Sequence, residues 1–263
     1  MPRRNGQLKN LTIVPLEQLI QEPYASVLCF PSPRRTELQN RLEELRKHGI
    51  SALEFSGTAS LFGVAVPVLG KGFVGIVVIA HLKNGRVALK IRRTDADRAD
   101  LLREAKMLSV ANCANVGPKL MAGSKNFLVM QLIDGDLLPN WLETNKDPKK
   151  IKLVLRDILE QCYRLDRTGL DHGELSKAPK HLLIDKSGSP FIVDFETASV
   201  ERRVSNVTAV CQYLFAGNSS TSKILAEMLG QKDKWEFIGV LKAYKKSKSR
   251  HDFESLLKIC LSQ

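Results

Sequence analysis

The chain has 263 residues, 43% apolar and 26% charged, the balance of an ordinary globular protein able to bury a full core. Its 40 Lys and Arg against 28 Asp and Glu leave a formal charge of +12, which attracts phosphate-bearing partners without reading their sequence. No apolar run reaches the length of a membrane span, no hydrophobic stretch follows the initial Met-Pro-Arg-Arg-Asn, and Cys29, Cys113, Cys162, Cys211 and Cys260 form no Cys-x-x-Cys pair. The expectation is a cytoplasmic protein with free thiols, no structural zinc, no secretory signal and no membrane partner.

In chain order, residues 25–30 read as a strand turned by Pro31-Ser32-Pro33, and residues 36–48 as a charged helix striped by Leu38, Leu42 and Leu45. Gly49 ends that helix, and residues 51–55 read as a second strand. Residues 1–60 would thus hold a small β-α-β extension, either parallel with a right-handed crossover or continuing the sheet that follows. Next comes Gly70-Lys71-Gly72-Phe73-Val74-Gly75-Ile76-Val77. Such glycines also serve dinucleotide-binding folds, but those require a helix directly afterwards. Here residues 76–80 are apolar and mostly β-branched, Asn84-Gly85 is a hairpin signal, and residues 86–92 alternate. The glycines therefore cap a β-hairpin whose backbone can approach phosphates closely.

Within that alternating strand Val87, Leu89 and Ile91 share one face, and Ala88 and Lys90 the other. Residues 95–110 read as a helix capped by Asp95 or Asp97, with Leu101, Ala105 and Leu108 along one stripe and Glu104 upon it. Residues 127–130 form a buried-type strand, followed by Gln131-Leu132-Ile133-Asp134-Gly135. Downstream stand His172-Gly173-Glu174-Leu175 and a strand at 190–193 that ends in Asp194-Phe195-Glu196. An apolar helix runs from Asn206 to about Ala216, and further helices are expected at 221–229, 234–244 and 252–261.

Each part alone has a plainer explanation: a solvated strand lysine, a surface glutamate, a satisfied core histidine. Their order and context together resemble the protein-kinase-like superfamily over residues 64–217. The stretch between Asp194 and Asn206 is too short for a conventional activation segment, and no Ala-Pro-Glu follows. It is trimmed as in RIO-type kinases and the small kinase of the tRNA threonylcarbamoyl-adenosine complex. His-Gly-Glu-Leu-Ser, Lys180-His181, Asp-Phe-Glu-Thr-Ala and Asn-Val-Thr are most similar to predicted serine/threonine protein kinases of archaea and bacteria. The resemblance implies an α+β, bilobal protein-kinase-like fold, with a β-rich N-lobe at 61–133 and a reduced helical C-lobe at 134–263.

The resemblance also implies ATP with magnesium or manganese, and assigns roles. Gly70, Lys71, Gly72, Phe73, Val74 and Gly75 cover the β- and γ-phosphates, and Lys90, held by Glu104, binds the α- and β-phosphates. Gln131 and Ile133 read adenine through their backbone, between Val77, Ala88 and Leu183, with Met130 at the back. Asp194 carries the metal, His172 belongs to the catalytic loop, and Glu174 stands where kinases have the aspartate that positions the acceptor hydroxyl. By count the metal-binding asparagine is Pro179; a two-residue insertion puts His181 there. Imidazole suits manganese or zinc better than magnesium, and Lys180 offers a fixed positive charge in place of the second ion.

The leading expectation is an atypical serine/threonine protein kinase that modifies a protein substrate or itself. Alternatives are a kinase-fold ATPase or pseudokinase switch in an RNA-associated assembly, and a small-molecule phosphotransferase. RNA contact is expected from Arg3-Arg4, Arg34-Arg35, Lys149-Lys150 with Lys152, Arg202-Arg203 and the 245–250 run, weighed against a merely solvated basic surface. Aromatic residues are not interleaved with these clusters, so base-stacking platforms are not indicated.

Overall fold

Alternation along the hairpin at 75–92 demands a two-faced sheet, and one dominates the computed structural model, which describes residues 12–262. The architecture is mixed α+β with antiparallel sheets. The chain divides into two units: the described residues up to Ala105 with Leu120–Leu132, and Lys106–Lys119 with the residues from Ile133 onward.

The first unit contains β1 (Thr12–Pro15), a 3₁₀ turn over Leu16–Ile20, α1 (Tyr24–Leu28), α2 (Arg35–Lys47) and β2 (Ala52–Phe55). These are followed by β3 (Ala59–Leu61), β4 (Val64–Val68), β5 (Gly70–Lys71), β6 (Gly75–Leu82), β7 (Gly85–Arg92), the start of α3 (Leu102–Cys113), β8 (Leu120–Gly123) and β9 (Phe127–Gln131). The main sheet has the order β1-β2-β6-β7-β9-β8 with β5 paired to β6, while β3 and β4 form a separate hairpin. Ile76, Val78 and Ala80, Val87, Leu89 and Ile91, and Phe127 and Val129 join Leu28 and the Leu38, Leu42, Leu45 stripe of α2 in one buried cluster. The opposite face carries Val77 across from Lys90, Ile79 across from Ala88, and Leu128 and Met130 on the next strand.

Arg41 crosses this core. Its side chain is fully buried and donates to Glu37 at 2.7 Å, to the Arg92 carbonyl at 2.6 Å, to Asn126 Oδ1 at 3.1 Å and to the Leu28 carbonyl. Asn126 donates onward to Glu44 through its backbone N–H (2.9 Å) and Nδ2 (2.8 Å). The guanidinium fork thus satisfies otherwise orphaned carbonyls and ties α1 and α2 to the end of β7.

Several expectations need correction. Residues 25–30 are not a strand: they lie in and just beyond α1, where Cys29 donates to the Ala25 carbonyl at 3.0 Å. Ala25, Val27, Leu28, Cys29 and Phe30 are all buried, and so short a run, with Ser26 as its one polar residue, carries no period to separate helix from strand. The strand preceding α2 is β1, and it pairs antiparallel with β2, so the expected β-α-β unit with a parallel crossover is not formed. The helix expected from 95 starts at Leu102, whose N–H is received by Asp100 Oδ1 at 2.9 Å. Asp95 is instead ion-paired to Arg93 at 2.6 Å. The hairpin turn is Lys83-Asn84, with Gly85 opening β7 at φ +139°. The Arg3-Arg4 cluster lies outside the described residues.

The second unit continues α3 from Lys106 and adds β10 (Gly135–Leu137), α4 (Leu138–Thr144), α5 (Pro148–Thr168), a 3₁₀ segment over Leu175–Lys180, β11 (Leu182–Asp185) and β12 (Pro190–Ile192). It ends with α6 (Asn206–Cys211), a π turn over Gln212–Ala216, α7 (Ser220–Leu229), α8 (Lys234–Ser247) and α9 (Arg250–Leu261). The long α5 buries Ile151, Val154, Leu155, Ile158, Leu159, Cys162 and Leu165, a stripe of helical period. Asp147 caps its start, and Gly169, at φ +77°, ends it. β10, β11 and β12 form an antiparallel sheet, and the expected C-terminal helices are α7, α8 and α9.

All five cysteines are free thiols, four of them buried. Among the described residues no helix is long and apolar enough to cross a membrane. Replacing Arg41 by Ala should lower the unfolding free energy by about 3 kcal/mol, because it strands the Glu37 carboxylate and two backbone carbonyls. Urea denaturation checks this; a loss below about 1 kcal/mol would rule out the bracing role.

Candidate functional site

In the first unit the glycine segment is a tight hairpin. Gly70 pairs with Val77 and Lys71 with Ile76, and the Gly72 N–H donates to the Gly75 carbonyl at 2.8 Å. Phe73 at its tip is 93% exposed. Gly75 is required by what lies over it: a Cβ there would come within 2.9 Å of both Cγ and Cε of Lys90. The turn is also anchored from β7. The Arg93 N–H donates to the Val74 carbonyl at 2.8 Å and its Nη1 to the Gly72 carbonyl at 3.2 Å. The Arg93 guanidinium stands 5.1 Å from the Phe30 ring centre, and Lys71 Nζ 5.5 Å from the same ring.

Lys90 Nζ lies 2.9 Å from Oε1 and 2.8 Å from Oε2 of Glu104, and both side chains are almost completely buried. Glu104 sits in the first turn of α3, where the helix dipole favours an anion. Gly123 lets that turn approach β8, since a Cβ on it would stand 2.6 Å from Ala105 Cβ. Val77, Ala88 and Met130 share the Lys90 face of the sheet. Gln131 is the last residue of β9, paired with Val87; Ile133 and Leu183 belong to the second unit.

In the second unit His172, Glu174, His181 and Asp194 come together. His172 is completely buried; its N–H donates to Asn206 Oδ1 at 2.8 Å, and its Nε2 lies 3.1 Å from the Val193 carbonyl. That contact makes Nε2 the protonated nitrogen and leaves Nδ1 buried without a hydrogen-bond partner. Burial, and then the neighbouring His181, push its pKa down to about 4, so the ring is neutral. Gly173 takes φ +92°, and a Cβ would meet Arg202 Nη2 at 2.5 Å.

Glu174 opens the 3₁₀ segment that contains Pro179, and His181 closes it. The turn brings His181 Nε2 to 3.2 Å from Glu174 Oε2. Asp194, held at φ +69° after β12, places Oδ2 at 3.9 Å from His181 Nδ1. Ligand atoms of Glu174, His181 and Asp194 all lie within 4.8 Å of one another, a set able to hold a divalent cation. Pro179 and Lys180 are exposed, and of these neighbouring positions it is His181 that joins the carboxylates.

Of the residues that brace this loop, sequence reasoning singled out Asn206 and Arg202 without this role, and missed Asp166, Asp171 and Tyr244. Asp166 on α5 accepts from the Asn206 N–H at 2.9 Å, Asn206 Nδ2 at 2.8 Å and the Tyr244 hydroxyl at 2.8 Å. Asn206 Nδ2 also reaches the Leu170 carbonyl at 2.7 Å. Burial raises the Asp166 pKa against these hydrogen bonds, and burial beside Asp166 raises that of Tyr244. Asp171 accepts from Arg202 Nε at 3.1 Å and from the Ser205 N–H at 3.0 Å. The available signal was an acid at 166 on the apolar stripe of α5, one turn beyond Cys162.

No family model matches the chain. The uncharacterized protein MJ1211 of Methanocaldococcus jannaschii is 31% identical over 100 residues, covering 38% of this chain and 83% of that protein.

Two outcomes are expected. His172 has a folded pKa of about 4 against an ordinary 6.5, so its contribution is complete above pH 6.5 and lost as pH falls through 4. The amount is about 3 kcal/mol. His172→Gln should flatten the fall in unfolding free energy over that window, measured by urea titration at several pH values; an unchanged slope contradicts it. Asp166, with a raised folded pKa, acts in the opposite sense: its contribution is present at low pH and lost as pH rises through that pKa. Gly75→Ala should displace Lys90 and cost about 1–3 kcal/mol of stability by overpacking, read from thermal melts.

Proposed function

For this chain, which belongs to the same family as the Methanocaldococcus jannaschii protein, we propose an ATP-dependent phosphotransferase activity toward serine or threonine hydroxyls of proteins, itself included. The proposed fold is protein-kinase-like, with the first unit as its β-rich lobe and the second as its reduced helical lobe. The observation that carries this proposal is the buried Lys90–Glu104 pair behind a glycine hairpin. A buried ion pair is a poor device for stability, since apolar side chains of the same volume do as well or better. A lysine fixed in place by a carboxylate, beneath a turn of backbone amides, is instead suited to oriented phosphate.

In this proposal the turn of Gly70, Lys71, Gly72, Phe73, Val74 and Gly75 covers the β- and γ-phosphates, with those amides not already bonded within the hairpin as donors, and Lys90 neutralises the α- and β-phosphates. Gln131 of the first unit meets adenine through its backbone, with Val77, Ala88 and Met130 as apolar surroundings. A magnesium or manganese ion supplies charge neutralisation on the phosphate oxygens, and Asp194 with His181 would hold it. Glu174 accepts the proton of the acceptor hydroxyl, and His172, neutral and buried, orients the loop that carries it.

One observation favours a nucleotide-binding switch as the second reading. Glu174 Oε2 already faces His181 Nε2 at 3.2 Å, so an acceptor hydroxyl competes for that carboxylate. RNA contact belongs to the same alternative, through Arg34 and Arg35 at the start of α2, Lys149, Lys150 and Lys152 on α5, and the end of α8. Part of the positive charge is already used internally, in Arg202–Asp171 at 3.1 Å and Arg250–Glu160 at 2.7 Å. The proposed setting is the cytoplasm, where thiols stay reduced.

Incubation with γ-labelled ATP and magnesium or manganese should transfer label to the protein or to an added protein substrate. Lys90→Ala and Asp194→Ala should each reduce transfer about 100-fold or more, and Glu174→Ala by a comparable factor. Release of free phosphate without labelled protein favours the switch. Absence of both ATP binding and transfer rules out the proposal.

A further inference from the structure

His181 is a histidine aimed into a pair of carboxylates and packed out of water. Its side chain is 8% exposed, its Nδ1 has no hydrogen-bond partner, and that nitrogen stands 3.9 Å from Asp194 Oδ2. On the other side of the ring, Nε2 faces Glu174 Oε2 at 3.2 Å. A proton on Nε2 is favoured by that carboxylate, which leaves the Nδ1 lone pair directed toward Asp194. Lone pair to carboxylate is repulsive as it stands; a cation between the two turns both into ligands. Two donors each about 2.1 Å from one ion stand roughly 3.0 to 4.2 Å apart, depending on the angle at the metal, and the observed separation falls within that span. A carboxylate behind a metal-binding imidazole is the usual means of fixing its tautomer and orientation.

We propose that the second unit binds a divalent cation of the imidazole-accepting class on its own side chains, with no nucleotide present. His181 Nδ1 and Asp194 are the inner ligands, and Glu174 is the positioning residue that holds the ring from Nε2. The edge of the neighbouring His172 ring, 5.3 Å away, completes the packing that keeps His181 from turning. A site with one nitrogen and one carboxylate ranks zinc or cobalt above manganese, and manganese above magnesium, which prefers oxygen and retains its water. The inference deepens the phosphotransferase proposal at the same residues, and it differs from an ion that arrives with ATP.

The test uses the full chain without nucleotide, titrated separately with cobalt, manganese and magnesium ions. One cobalt ion should bind with visible d–d bands of a nitrogen-ligated site. One manganese ion should show nitrogen modulation in its electron spin echo, and magnesium should compete at least about tenfold more weakly. His181→Asn, which retains an oxygen donor, should abolish the nitrogen modulation. Glu174→Gln should weaken manganese about 10- to 100-fold while retaining it.

The spectra of the unaltered protein need no variant, so a misfolded mutant cannot mask the answer. Absence of cobalt and manganese binding without ATP, or nitrogen modulation that survives His181→Asn, overturns the inference. Phosphoryl transfer is assayed in parallel. Transfer without nucleotide-free metal binding removes the inference and leaves the phosphotransferase proposal standing. Metal binding without ATP binding does the reverse.

Discussion

Successive side chains of a strand must leave on opposite faces, and β7 shows how much follows from that rule. Val87, Leu89 and Ile91 are committed to the core shared with α1 and α2. Ala88 and Lys90 are thereby turned to the other face, opposite Ile79 and Val77. A lysine so placed cannot reach water along its own strand, and it meets Glu104 of α3 instead. A register slip of one residue would bury Lys90 among the leucines and expose Leu89, so the core and the ion pair specify each other. Gly75 belongs to the same constraint, because the lysine stem needs the space its missing side chain leaves.

The second unit solves a different problem, that of holding a loop of irregular backbone rigid. It does so with buried polar groups. Asp166 receives Asn206 and Tyr244, and Asn206 in turn receives His172 and donates to Leu170. The links join segments remote in sequence, α5 and the loop after it to α6 and α8. Such a network has steep consequences, because in a low-dielectric interior each hydrogen bond is strong and each orphaned group is costly. Phe195, which follows Asp194, packs its ring on His172 at 5.1 Å and lies where Gly117 can take no side chain.

What the sequence revealed follows from the range over which each signal acts. The hairpin at 75–92, the helix stripe of α2 and the C-terminal helices are local patterns of period two or 3.6, and they were legible at once. The ordered motifs singled out Lys90 with Glu104, and Glu174 with His181 and Asp194, and the structure brings each of these groups together. Residues 25–30 were misread because a short segment buried at every position but Ser26 lacks a distinguishing period. Asp95 was misread as a cap because its carboxylate is taken by Arg93, two residues away. Asp166 and Arg41 went unseen for a deeper reason: a buried charge announces itself only through partners that the fold brings from far along the chain.

Gly173 sets what the history of this loop can vary. Its φ of +92° strains any residue with a side chain, and a Cβ there would also crowd Thr197 and push the Arg202 guanidinium aside, so the backbone between His172 and Glu174 favours glycine. The side chain at 174 is under no such restraint, being 41% exposed. Aspartate and glutamate codons differ by one nucleotide, and the shorter side chain would draw the carboxylate back from His181 Nε2, now 3.2 Å away. The reach of that carboxylate is therefore open to change by a single substitution at 174, whereas position 173 tolerates little besides glycine.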